Sequence, residues 1–259
     1  MLPTHPQSKT GTAEAIVLIK AAPVVSSKYG ETVCCAAVDL NKQWLRLYPV
    51  SFRYLEHDKK FGRWDKIKFG WRLPNDDNRI ESRRINQDTL EIIGTLKKRE
   101  RQTFLSSMIV TSLDRERQAE RSLALLSAEI NEFTVAEKTN TELDEALSRL
   151  EALRNQNDLF AESALLPYQP CPYKFGYRYT TDDGLRNGTC QDWEMEATFF
   201  RLRSVHGEET ALKKMRQTFG EDYPNRGMLL AMGTHSRFPD TWLINGVVRL
   251  DPIIEPTLL

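Results

Sequence analysis

Apolar and polar positions in the first third of the chain follow the two-residue rhythm of strands. "EAIVLIKAAPVV" is a β-branched apolar run stopped at Pro23, and "TVCCAAVDL" is a second run that fits either a strand or a buried helix. "QWLRLYPV" alternates and closes on a proline, and "WDKIKFGW" alternates with Ile67 and Phe69 on one face. The turn residues "LPNDDNR" and the short strand "IESRRI" follow. These segments predict a small antiparallel sheet or partly closed barrel.

The rhythm then lengthens. "TLKKRERQTFLSSMI" has helical spacing, and Ser112 can cap a helix running "LDRERQAERSLALL". "TNTELDEALSRLEALRNQ" is the clearest helix, with Thr141 as its cap and Asp144 in the capping-box position. Leu143, Ala146, Leu147, Leu150 and Leu153 make its apolar stripe, which reads as core packing. The last third is mixed. "YKFGYRYT" meets the turn "TDDGLRNG" and continues into "TCQDWEM" as a hairpin. A helix "GEETALKKMRQTFG" follows, and "MLLAMGT" and "TWLINGVVRL" form a strand pair around the loop "HSRFPD".

The expected class is therefore α+β: an N-terminal antiparallel sheet or partial barrel, a helical middle, and a C-terminal mixed hairpin-helix-hairpin unit. The boundaries are a disordered leader at 1–12, a β-rich lobe at 13–95, a helical segment at 96–165, and an α+β lobe at 166–259 packed with the first. The cleft between lobes is the expected site. There is no internal repeat, no βαβ alternation and no phosphate loop.

Composition adds exclusions. The chain has 259 residues, zero formal net charge and 40% apolar content, which is globular. No apolar run reaches the length of a membrane span, and the N-terminus lacks the apolar core of a secretory signal. Cys34, Cys35, Cys171 and Cys190 show no disulfide or zinc spacing, so neither metal nor cofactor is expected and a reducing cytoplasm is the default. Charge is uneven, however. Asp58–Ile85 carries nine Lys/Arg against five Asp/Glu, interleaved with Phe61, Trp64, Phe69 and Trp71. Thr111–Ser163 carries six against twelve. Such polarity can steer an anionic partner, and it is also how two ordinary solvated faces look.

Four places could carry chemistry, one of them the polar loop "SSKYGE" (Ser26–Glu31) between apolar runs. In "QDWEMEATFF", a strand would put Asp192, Glu194 and Glu196 on one face, where crowding raises a carboxyl pKa. A helix starting there would instead make Asp192 its N-cap, with the two glutamates in the first turn. In "GTHSRFPD", His235 and Arg237 suit a phosphate or a departing base, and a polar hairpin loop is the plain alternative. Arg46, Tyr48 and Arg53, with Lys59, Lys60, Arg63, Trp64, Arg83 and Arg84, interleave cations with rings as a nucleic-acid surface requires.

The series "SSKYGETVC", "WLRLYPVSFRYL", "RIESRRI", "PYKFGYRY", "QDWE" and "MGTHSRFP", ending in "LINGVVRLDP", resembles a family of prokaryotic proteins of unassigned function over nearly the whole chain. Its members often carry a Cys-x-Gly-His element before the "DWE"; here "DDGLRNGTC" stands instead, which removes that histidine from consideration. More loosely, the chain resembles antiphage-defence DNA glycosylases acting on modified cytosine. That resemblance implies a DNA partner, phage DNA with modified bases included. A modified base would be flipped and its N-glycosidic bond cleaved, with Asp192 beside the sugar, Glu194 second, and His235 at the leaving base. Arg237, Arg46 and Arg53 would hold phosphates. The alternative is a non-catalytic reader of modified or single-stranded nucleic acid, and a third reading is a metal-dependent nuclease.

Overall fold

The computed structural model describes residues 8–26, 30–157, 169–235 and 238–250. Six strands come first: β1 (Thr10–Lys20), β2 (Val24–Ser26), β3 (Gly30–Asp39), β4 (Trp44–Val50), β5 (Asp65–Arg72) and β6 (Ser82–Thr95). β1 pairs antiparallel with both β3 and β5; β3 pairs with β4, and β5 with β6. A short parallel contact between β4 and β6 closes the circuit, while β2 only extends the hairpin with β3. Counting the five long strands in chain order, the circuit runs first, second, third, fifth, fourth and back to first, with the third and fifth parallel.

The remaining elements are α1 (Lys98–Leu105), β7 (Ile109–Val110), α2 (Leu113–Gln118), β8 (Leu123–Leu126), β9 (Glu129–Glu137), α3 (Asn140–Asn157), β10 (Tyr173–Thr181), β11 (Gly184–Thr189), α4 (Trp193–His206), α5 (Glu208–Met215), β12 (Met228–Thr234) and β13 (Trp242–Arg249). Here β8 and β9 act as one bent first strand. β8 pairs with β12 and β9 with β10, both antiparallel. β10 pairs with β11, β12 with β13, and a parallel bridge from Cys190 to Ile244 joins the end of β11 to β13. This is the same circuit a second time. Both circuits have the strand order of the OB-fold, a five-stranded Greek-key barrel. The α+β class holds, and two unlike sequences take one topology.

The helical middle needs amending. "LALL" does not continue α2; it is β8, fully buried, because the second barrel needs a first strand there. "EINEFTVAE" is β9, an unanticipated strand that turns Phe133 inward. α3 forms, but its stripe is only partly core, with Leu150 buried and Leu147 exposed, and its capping box lies two residues earlier. The Glu142 amide donates to Thr139 Oγ1 and the Thr139 amide to Glu142 Oε2, so Thr139 caps in place of Thr141. The expected turn "TDDGLRNG" is mostly strand β11; the reversal is tight at Asp182–Asp183.

Burial explains the two textures of strand sequence. β5 alternates because only one face is dry: Ile67 and Phe69 point into the first barrel while Lys66 and Lys68 face water. β1 and β3 are continuously apolar because both faces are dry. Ala15, Val17, Val33, Cys35 and Ala37 fill the barrel. Ile16, Leu18, Ala36 and Val38 lie on its outside, against Leu123, Leu125, Leu229, Ala231 and Val248 of the second barrel. Each large side chain so buried is worth about 1.5–3 kcal/mol. The second barrel is filled by Tyr173, Phe175, Tyr177 and Tyr179 at alternate positions of β10 and is plugged by Met195 and Phe199 of α4 and Met215 of α5.

One carboxylate ties α2 to the β10–β11 turn. Asp183 accepts from Ser112 Oγ (2.5 Å) and from the Leu113 amide (2.6 Å), and Arg186 lies 3.5 Å away. Burial alone would raise its pKa, but these donors outweigh burial and hold it below the ordinary 3.8. A depressed carboxyl stabilises the fold above its unfolded pKa and loses that contribution as pH falls through the folded value. Stability should therefore decline as pH falls below 3.8, and Asp183→Asn should flatten that part of a denaturant-midpoint profile. An identical acid limb in the variant would assign the decline to other groups.

Candidate nucleic-acid interface

The carboxylates of "QDWEMEA" sit where the barrels meet. Asp192 is the N-cap of α4 and is 1% exposed. One oxygen accepts from the Glu194 amide (2.9 Å); the other accepts from the Val247 amide (3.0 Å) and from Arg63 Nη2 (3.0 Å). The Arg63 guanidinium also pairs with Glu194 (3.0 Å) and donates to the Val247 carbonyl. Gly246 faces this joint, and a Cβ there would come within 2.7 Å of the Asp192 carboxylate. The capping alternative is the one realised. Asp192 closes a helix start and pairs with a cation of the first barrel.

His235 is elsewhere. It follows β12, five residues beyond Leu230, which pairs with the Val247 that holds Asp192. At about 3.3 Å per residue, His235 stands about 17 Å along the strand from Leu230. The His235 ring lies 5.3 Å from Phe238, which is 63% exposed. Arg237 lies outside the described residues.

The basic-aromatic stretch is sorted by the barrel wall. Phe61, Trp64 and Phe69 are core, and Trp64 lies under the Arg101 guanidinium (4.5 Å). Arg46 is buried and donates to the Ser122 carbonyl (2.8 Å) and Oγ (3.1 Å). Ser122 in turn donates from its amide and hydroxyl to Glu81 (2.8 Å each). Arg53 pairs with Glu31 (2.8 Å), and Lys59 with Glu56 (3.1 Å). Arg83 is buried, its guanidinium over Trp71 (4.8 Å) and donating to the Ile80 and Ser82 carbonyls. Arg84 stands opposite Arg72 across β5–β6; Tyr48 is half-buried and Lys60 exposed. The residues singled out from sequence thus scatter over the joint, the core and several surfaces.

The outer face of the second barrel's β9–β10–β11 sheet is largely open to water. On β9, β10 and β11 the inward positions are taken by Phe133 and the β10 aromatics, so the registers put the alternate residues outside. In adjoining rows these are Thr134, Gly176 and Thr189; Glu132, Arg178 and Asn187; and Ala136 beside Lys174. Arg178 pairs with Glu132 (3.4 Å) at exposed positions and Lys174 with Glu142 of α3 at partly exposed ones, where such pairs exchange readily with another anion. At the β10–β11 turn a chain of ion pairs runs through α2: Asp240 meets Arg117 (3.7 Å), Arg117 meets Asp114 (3.8 Å), and Asp114 meets Arg186 of β11 (3.2 Å). Sequence reasoning passed over Lys174, Arg178 and Asn187. The alternation in "YKFGYRYT" held the signal, since inward aromatics force the cations outward. Among the described residues no three His, Cys, Asp or Glu side chains gather to hold a metal ion, and no helix is long and apolar enough to cross a membrane.

Two family models match the chain, one a domain of unknown function (DUF8758) over residues 11–109 and the other a domain of unknown function (DUF8757) over residues 101–256. No curated protein matches it. Among solved structures the chain is similar to the tetrameric p202 HIN2, at 10% identity and a TM-score of 0.33, covering 98% of this chain and 100% of that one. It is also similar to a replication protein A heterotrimer bound to ssDNA, at 12% identity and a TM-score of 0.27, covering 96% of this chain and 68% of that one. Likenesses this loose add nothing to the strand orders above.

Proposed function

The chain belongs to the DUF8757 family, and we propose that it is a nucleic-acid-binding module, a reader of single-stranded nucleic acid with no chemistry of its own. The observation that carries this is the unequal fate of the two barrels. An OB barrel binds oligonucleotides on the outside of its second and third strands. In the first barrel that surface, on β3 and β4, is packed against the second barrel. In the second barrel it is the open face of β10 and β11. Lys174 and Arg178 can meet phosphates there, Asn187, Thr134 and Thr189 can hydrogen-bond, and Phe238 with His235 offers rings for base stacking.

The glycosylase reading asks for a carboxylate open to a flipped nucleotide. Both Asp192 oxygens are spent on Arg63 and two backbone amides, inside the joint. Glu194 is more exposed, but it answers the same guanidinium. The reader is the simpler role for these residues.

Binding should be measured by fluorescence anisotropy with labelled oligonucleotides. With about three phosphates neutralised, affinity for a single strand should fall about 20-fold between 50 and 200 mM salt. Arg178→Glu should weaken binding about tenfold with the melting temperature unchanged, because its ion pair is exposed. The same incubation with DNA carrying glucosylated hydroxymethylcytosine should yield no released base. Absence of binding to any oligonucleotide at 50 mM salt would overturn the proposal, and released base would restore the enzyme.

A further inference from the structure

A groove of about 480 Å³ runs along the outside of α4, within the size range of small-molecule sites. Trp193, Glu196, Ala197, Phe200, Arg203 and Ser204 line it from one helix face, and Gln169 faces them. We infer that this groove takes one nucleobase of the bound strand, stacked on Trp193, with its amino edge on Glu196 and a phosphate near Arg203. The inference rests on the nucleic-acid reading above and names what it recognises.

Four features point to a planar, amino-bearing, anionic ligand. Trp193 and Phe200 stand seven residues apart on α4, about 10.5 Å along its axis, with Glu196 and the small side chain of Ala197 between them. That leaves a slot with aromatic ends and a shallow floor. The rings are braced in place: Phe52 meets Trp193 edge-on at 5.4 Å, and Phe61 meets Phe52 at 5.1 Å. A held ring loses little entropy when a base stacks on it. Cations flank the slot. The Arg203 guanidinium lies 5.1 Å from the Phe200 ring, and the Lys20 ammonium lies 5.8 Å from the Trp193 ring. Glu196 supplies a carboxylate, an acceptor-only group with several lone pairs, which suits the exocyclic amine of cytosine or adenine and gives no donor to thymine.

The groove also lies in the right place. It begins at Trp193, four residues after Thr189 ends β11, and Gln169 stands five residues before Lys174 on β10. A strand crossing the open face along β10 and β11 would leave it at this end.

The test uses the full chain and three labelled 12-mers of deoxycytidine, deoxyadenosine and thymidine. Wild type should prefer the cytidine and adenosine strands. Trp193→Ala should weaken their binding about tenfold. Glu196→Gln keeps one acceptor and adds a donor for thymine, so it should remove the preference by raising thymidine binding. Ala197→Leu, at an exposed position, should fill the slot and repeat the loss even if Trp193→Ala disturbs folding. If Ala197→Leu and Glu196→Gln bind all three strands as wild type does while Arg178→Glu still weakens them, the base site is wrong and the reader stands. If wild type binds none of the strands, both fall.

Discussion

Arg63→Met is expected to lower the melting temperature by about 10 °C. The guanidinium is the partner that makes Asp192 tolerable at 1% exposure, and removing one member of a buried pair strands the other, at about 3–5 kcal/mol. For a chain of this size each kcal/mol moves the midpoint by about 2–4 °C. Arg63 also ties Glu194 and the Val247 carbonyl, so three groups lose a donor together. The cause can be separated from lost packing. Asp192→Ser keeps a good N-cap and discards the charge. In the Arg63→Met background it should recover part of the loss, although alone it should be destabilising. Such non-additivity is the mark of a direct pair. Simple addition of the two effects in calorimetry would show that Asp192 and Arg63 act separately.

Glu81→Ala should cost a similar amount, about 3–5 kcal/mol, by the same physics at the other end of the barrel contact. Glu81, Ser122 and Arg46 are all nearly inaccessible, and the chain of donors runs from Arg46 through Ser122 to the two Glu81 oxygens. Alanine leaves a buried guanidinium without a carboxylate and the Ser122 amide without an acceptor. Glu81→Gln preserves one acceptor and should fall between alanine and wild type. Denaturant midpoints order the three. A Glu81→Ala variant within 1 kcal/mol of wild type would mean that water enters the joint and solvates Arg46.

Strand texture was the most legible part of this chain. In "WDKIKFGW" the alternation gave both the strand and its orientation, because water on one face and core on the other impose a period of two. "VCCAAV" gave only burial, since a strand covered on both sides loses the period that would distinguish it from a helix. What covers its outer face comes from more than eighty residues away, and no local pattern encodes that. "LALL" was misjudged for the same reason. Four apolar residues after a good helix continue the helical count, and only pairing with β12 makes them a strand. At "QDWEMEA" the capping alternative was legible, but its use as a joint was not, because Arg63 lies 129 residues away. The open face was present in "YKFGYRYT" as outward cations, and it gained meaning only once the equivalent face of the first barrel was found covered.

That covered face has a consequence for inheritance. The two family models part near residue 105, as though each barrel were a unit that could be gained or lost alone. Severed there, the first barrel would carry Ile16, Leu18, Ala36 and Val38 into water as one contiguous patch, and the second would carry Leu123, Leu125 and Leu229. Patches of that kind drive aggregation. The boundary in sequence pattern therefore runs across a shared apolar contact, and each barrel keeps the other's patch out of water.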